Sequence, residues 1–263
     1  MDKLYAPYRK FAKSSEAAGE GIVVGSDLTQ QWLLPWWWEH YRRFNTYPVT
    51  FVDFGMTEEM KQWCRERGHF VSLPVADIFV AEKKEVDSSL SEQWEGIYGT
   101  RFWPSRNAWF KKPAACLQSP YRLSIWIDLD CEIRGSLKEL FDLCETGSGI
   151  ALAKEDHEST PHQIGYNSGV IVFKQGISLI ESWADGAFDS NESFAGDQDI
   201  LSKIIHDQKW TVTVLPSIYN WSRCSVENPQ AVILHWHGLY GKSYIHHQIL
   251  RARLEEDRLG SVP

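Results

Sequence analysis

The chain has 263 residues, enough for an α/β domain that buries its own core without disulfides or a structural metal. Apolar residues make up 43% and charged residues 24%, which excludes disordered and fibrous classes. The net charge of −8, from 27 Lys and Arg against 35 Asp and Glu, argues against a nucleic-acid partner, which would need a basic surface.

The first apolar run, Gly21–Gly25 (GIVVG), reads as a short buried strand that ends in Ser26-Asp27. TQQWLLPWWWEHYRRFN follows with helical periodicity. Trp32, Trp36 and Trp37 fall on its core stripe, while Trp38 points elsewhere and is read as an interface or acceptor contact. VTFVDFG is a second strand and TEEMKQWCRERG a second helix, capped by Thr57 and stopped at Gly68. His69–Leu73 is a third strand. Pro74–Pro104 is polar and reads as an irregular surface loop, long enough to serve as a lid. Asn107–Leu117 reads as a helix leading into the strand Leu123–Ile127. SLKELFDLC is helical, SGVIVFK a strand, and helices start at Ile177 and at Asp197. TVTVLP and AVILHWHG read as strands, and SYIHHQILRARLEEDR as a terminal amphipathic helix. Alternation of strand and helix predicts a single α/β domain with a mostly parallel sheet flanked by helices.

The five cysteines, Cys64, Cys116, Cys131, Cys144 and Cys224, include no C-x-x-C pair and read as free thiols of a reducing compartment. No signal peptide and no apolar run of spanning length is visible, so a cytoplasmic protein without an integral membrane segment is expected.

Candidate chemistry gathers at strand ends. Leu123–Ile127 delivers Asp128 and Asp130 to its carboxyl end, the edge at which open α/β sheets bind ligands. Two acids one residue apart repel each other, and a divalent cation with oxygen ligands relieves this; alone, the pair could equally be a solvated turn. AVIL delivers His235-Trp236-His237-Gly238, and an imidazole there could complete a metal site. A nitrogen ligand tilts the choice from Mg²⁺ to Mn²⁺. Tyr166-Asn167-Ser168-Gly169 offers an amide, a hydroxyl and a close backbone approach. Gly196-Asp197-Gln198-Asp199 opens a helix, where acids suit the dipole. Lys111 and Lys112 precede the D-x-D strand, and a lysine there could neutralise a phosphate.

In their order, GSD, a lysine, WIDLD, YNSGV, GDQD and ILHWHG resemble the motifs of the retaining glycosyltransferases of family eight, which have the GT-A fold; the match spans roughly residues 20 to 245. The resemblance implies a metal-dependent transfer of a sugar from a nucleotide diphosphate, UDP, to an acceptor hydroxyl of a glycan, protein or small molecule. It implies Mn²⁺ or Mg²⁺ on Asp128, Asp130 and His235, with His237 as the alternative nitrogen ligand. Gly25, Ser26 and Asp27 would line the nucleotide pocket, and Asp128 would also touch the ribose. Lys112, or its neighbour Lys111, would contact the donor. Asn167 and Ser168 would lie near the donor sugar, and Asp197 and Gln198 at the anomeric carbon. Gly238 would approach the diphosphate, and Lys242 would bind it. Residues 20–130 would then form the nucleotide half and 131–263 the sugar and acceptor half. Two departures stand out: Gly241 occupies the position of the family's C-terminal lysine, with Lys242 one residue later, and the Trp-rich first helix is foreign to the family. Two other readings compete. A haloacid-dehalogenase-type phosphotransferase would use Asp128 as nucleophile. A non-catalytic sugar- or nucleotide-binding module would use the tryptophans as a platform.

Overall fold

The computed structural model describes residues 10–11, 19–73, 80–155 and 165–260. The first strand, β1 (Glu20–Ser26), pairs in parallel with β2 (Val49–Asp53) on one side and β4 (Leu123–Ile127) on the other. β3 (His69–Ser72) extends the parallel set beyond β2. On the far side of β4, β7 (Tyr166–Lys174) runs antiparallel, followed by β6 (Ile150–Lys154) and the edge strand β8 (Thr213–Val214). The seven-stranded order is therefore β3-β2-β1-β4-β7-β6-β8, and β7 alone runs against the others. A three-stranded sheet, β5 (Cys131–Ile133), β10 (Ile233–His235) and β9 (Trp221–Ser222), packs beside it. This is the mixed, mostly parallel α/β architecture that the alternation predicts.

Strand alternation sorts the core into two layers. Ile22 and Val24 of β1 face one apolar cluster with α1 (Leu33–Arg42), α2 (Glu58–Arg65) and α6 (Lys138–Thr146). Val23 faces the other, with α5 (Lys112–Leu117), α7 (Ser178–Asp189) and α8 (Asp197–Asp207). Each fully buried aliphatic side chain contributes about 1.5–3 kcal/mol. The tryptophans of α1 are core: Trp37 is buried and stacks on Tyr41, and Trp36 donates to Gln248 Oε1. Trp38 lies against Phe51 and Trp63, so it ties α1 to β2 and α2 inside the fold.

Several sequence expectations are corrected. The expected loop Pro74–Pro104 folds over its described part, from residue 80 on. It contains 3₁₀ turns at Lys83–Glu85 and Thr100–Phe102, the helix α3 (Ser88–Tyr98) and the start of α4 (Trp103–Trp109). Asp87 caps α3 by accepting from the Ser89 and Leu90 amides. Val86, Trp94 and Phe102 bury a small third cluster, and buried Arg106 donates to the carbonyls of Ala81, Asn191 and Phe194. The expected helix Asn107–Leu117 breaks near Phe110 into α4 and α5, with Pro113 in the first turn of α5. TVTVLP forms only the two-residue β8, with one further bond from the Leu215 amide to the Leu152 carbonyl of β6. The C-terminal helix, α9 (Gly238–Gly260), begins earlier than expected, directly after His237. Among the described residues no helix is long and apolar enough to cross a membrane.

Candidate functional site

The strand order reverses direction at β1: the chain goes outward to β2 and β3, then returns to β4. The crevice at the carboxyl ends of β1 and β4 is thus the topological switch point of the sheet. Gly25, Ser26 and Asp27 end β1 there. Gly25 lies under the Phe54 ring, Ser26 is buried, and Asp27 Oδ1 accepts from the Thr29 and Gln30 amides, turning the chain into α1. Lys111 is buried on this side. Burial lowers its pKa, and Asp27 and Asp53 oppose that shift.

Lys112, one residue on, points to the other side of the crevice. Its Nζ lies 3.1 Å from Asp128 Oδ1 and 3.3 Å from Asp197 Oδ2, and it donates to Ser168 Oγ at 2.9 Å. Burial works against its charge, but Asp128 and Asp197 outweigh it and hold the ammonium above its ordinary pKa. Asp128 also accepts from Trp126 Nε1 at 2.7 Å, and its amide donates to Gly169 O of β7. Asp197, the first residue of α8, is buried; burial raises its pKa, while Lys112 and Ser168 pull it back.

A second cluster sits on the small sheet. Asp130 Oδ1 is 3.3 Å from His235 Nε2, and Asp130 Oδ2 is 2.5 Å from Lys242 Nζ. Burial alone would raise the pKa of Asp130; Lys242 and His235 overcome it and hold the carboxyl well below its usual range. His235 Nδ1 donates to Asn220 Oδ1 at 2.9 Å. That commits the Nδ1 proton and points Nε2 at a carboxylate oxygen. A carboxylate oxygen and an imidazole nitrogen thus face each other, a donor pair that a cation could bridge. The described residues whose donor atoms gather within 4.8 Å of one another are Asp130, Cys131 and His235. Asp128 does not join them, because Lys112 and Trp126 hold its carboxylate. His237 turns away to share a hydrogen bond with Ser222 Oγ, and burial together with His235 and Arg223 pushes its pKa down to about 4.

Two glycines make this packing feasible. A Cβ at Gly169 would lie 2.4 Å from His235 Cε1, and a Cβ at Gly241 would lie 1.7 Å from the Trp236 carbonyl oxygen. Position 241 therefore admits no side chain, and the lysine that reaches Asp130 is Lys242. Gly238 begins α9 at positive φ.

A chain of amides runs outward from His235. Asn220 Nδ2 donates to Asn167 Oδ1, and Asn167 Nδ2 donates to Glu155 Oε2 at 2.9 Å and Gln198 Oε1 at 3.4 Å. Gln198 Nε2 also donates to Glu155. Sequence reading missed Glu155 and Asn220. Glu155 follows β6, a strand not anticipated, and Asn220 lies in a short connection with no motif of its own. A cavity of about 430 Å³ opens beside Gln198, walled by Trp94, Glu155, Tyr166, Phe194 and Asp199. Burial, with Asp197 and Glu155 nearby, lifts the Asp199 pKa to about 6. Tyr98 rises to about 12 through burial and the charges of Asp199, Glu155 and Asp197, so α3 borders the site.

No protein-family model matches the sequence, and no curated protein matches it either. Solved structures do match. Mouse xyloside xylosyltransferase 1 in its apo form superposes with a TM-score of 0.54 at 15% identity, over 82% of this chain and 97% of that one. The galactosyltransferase LgtC, in complex with donor and acceptor sugar analogues, gives 0.50 at 13% identity, over 83% and 90%. The glycosyltransferase GlyE of Streptococcus pneumoniae TIGR4 gives 0.54 at 15% identity, over 84% and 55%. The chain has the GT-A glycosyltransferase fold.

Proposed function

We propose that this chain is a metal-assisted glycosyltransferase. It moves a sugar from a nucleotide diphosphate to an acceptor hydroxyl with retention at the anomeric carbon. The observation that carries the reading is the facing pair Asp130 Oδ1 and His235 Nε2, with the Lys242 ammonium on the other carboxylate oxygen, beside a sheet's ligand-binding edge. The donor set of buried carboxylate and oriented imidazole fits a divalent ion. Mn²⁺ held by Asp130 and His235 would neutralise charge growing on the leaving diphosphate. UDP is the nucleotide that the resemblance implies, with Gly25, Ser26 and Asp27 on its base side and Asp128 towards the ribose.

The protein's own residues supply the rest. Among the described residues Lys242 pairs with Asp130, and it rides on the first turns of α9. It would exchange that partner for the diphosphate and stabilise the departing charge. Gly238, at the same helix start, offers the diphosphate a close backbone approach. Lys112 is held on three sides and orients Asp197, Ser168 and Asp128 rather than moving. The buried, ion-paired state of Asp197 supports same-face attack over a carboxylate nucleophile. Gln198, positioned by Asn167 and Glu155, would then steady the cationic sugar. The cavity beside Gln198, with an aromatic wall and an acidic rim, supports a seat for the acceptor sugar. The phosphotransferase reading finds less support, since its nucleophile, Asp128, is already engaged by Trp126 and Lys112.

The test is thermal stabilisation by UDP, GDP, ADP and CMP, each with and without Mn²⁺. A ligand that binds only the folded state raises apparent stability by about 2.7 kcal/mol at a hundredfold excess over Kd. A Mn²⁺-dependent rise with UDP that Asp130→Ala abolishes is the expected result. No rise with any nucleotide, with or without the ion, refutes the donor site.

A further inference from the structure

We infer that Cys131 is a third ligand of the cation bound at Asp130 and His235, giving a thiolate-containing site that favours thiophilic divalent ions over Mg²⁺. The inference rests on the metal-assisted reading above. The sheet register places the residue: Cys131 opens β5 directly opposite His235 in the antiparallel β5–β10 pair. Directly opposed residues on one face of such a pair have Cβ atoms about 4.5–5.5 Å apart. Asp130 is the residue before β5, and its carbonyl accepts from the Trp236 amide at 2.8 Å. The chain is therefore fastened on both sides of the cluster.

The distances suit one ion. The donor atoms of Asp130, Cys131 and His235 all lie within 4.8 Å of one another. Metal–sulfur bonds of about 2.3 Å and metal–nitrogen or –oxygen bonds of about 2.0–2.2 Å put neighbouring donors about 3–4.5 Å apart. Closing the shell around an ion needs only small side-chain movements. The imidazole is already oriented by Asn220, and the void beside Gly169 admits its ring. Binding releases the thiol proton to solvent, leaves the sulfur as a thiolate on the ion, and frees Lys242 from Asp130. Three protein donors leave open positions for diphosphate oxygens. A sulfur donor moves preference along the series from Mg²⁺ towards Co²⁺, Zn²⁺ and Cd²⁺.

The experiment is Co²⁺ titration of the full chain carrying Cys224→Ser, which removes the exposed thiol, followed by absorption. The expected result is a near-ultraviolet thiolate-to-cobalt charge-transfer band that saturates at one equivalent. It is absent in Cys131→Ser, while the weaker visible cobalt bands persist. In the same variant Cd²⁺ affinity falls by about tenfold or more, and Mn²⁺ affinity changes less. Stoichiometric Co²⁺ with visible bands but no charge-transfer band in the parent protein overturns the inference and leaves the metal-assisted reading standing. No bound Co²⁺, Cd²⁺ or Mn²⁺ in the parent protein overturns both. The parent spectrum decides the matter even if Cys131→Ser folds poorly.

Discussion

The two lysine–acid clusters at the sheet edge are built to different specifications. Around Lys112 every group is matched: the ammonium has Asp128, Asp197 and Ser168, and it is almost wholly buried. Around Asp130 the matching is incomplete. His235 meets Asp130 only at 3.3 Å, and Lys242 comes from a helix with its side chain partly in water. A saturated cluster keeps its shape, whereas an unsaturated one exchanges partners. The contrast separates residues that hold the site from residues that change partner when a ligand arrives.

The contrast can be broken by substitution. Lys112→Met should have the largest effect on folding. It strands the buried carboxylate of Asp197 and the half-buried one of Asp128 and should cost about 3–5 kcal/mol of unfolding free energy in urea titration. A loss below about 1 kcal/mol would show that the Lys112 cluster is not structural. Asp130→Asn should behave in the opposite way. Stability should fall by less than in Lys112→Met, because Lys242 can return to water. Turnover of a nucleotide-sugar donor, followed by release of the nucleotide diphosphate, should fall by about 10²–10³-fold. Equal effects of the two variants on stability would erase the distinction.

A smaller effect concerns Asp199, which stands on the cavity rim and belongs to neither cluster. Its pKa is raised to about 6 in the folded protein, so the native state holds a proton that the unfolded chain has lost between about pH 4 and 6. Stability therefore falls as pH rises through that window and is level above it. Asp199→Asn keeps the acceptor for the Gly196 amide and removes the penalty. The variant's advantage over the parent protein should grow by about 2 kcal/mol from pH 4 to pH 7 in urea titrations. An advantage independent of pH would mean that this carboxyl is not shifted by the fold.

Much of this molecule can be read without coordinates, and the limits are physical. Buried parallel strands such as Leu123–Ile127 are continuous apolar runs, so their ends, and the acids placed there, stand out. Lys112 is legible by its distance from Asp128 along the chain. Glu155 and Asn220 are not legible, because each owes its position to a strand pairing or a turn rather than to a local pattern. The segment from Val86 to Phe102 reads as a loop because its few apolar residues are scattered among serines and acids. What folds it is a cap at Asp87 and the buried guanidinium of Arg106, which ties the segment to the carbonyls of Asn191 and Phe194, distant in sequence. Cys131 reads as one more free thiol until the β5–β10 register sets it opposite His235.

The reversed strand β7 acts as a partition. Asn167 and Ser168 are neighbours in the chain, yet one serves the run of amides and the other Lys112 and Asp197. The two halves of the site are thus separated by the thickness of one backbone. A one-residue insertion that slips the register early in β7 would bring Asn167 to the place where Ser168 meets Lys112 and take its amide away from Asn220 and Glu155. The register of this strand therefore decides which side chain each half of the candidate site receives, which the D-x-D acids by themselves do not.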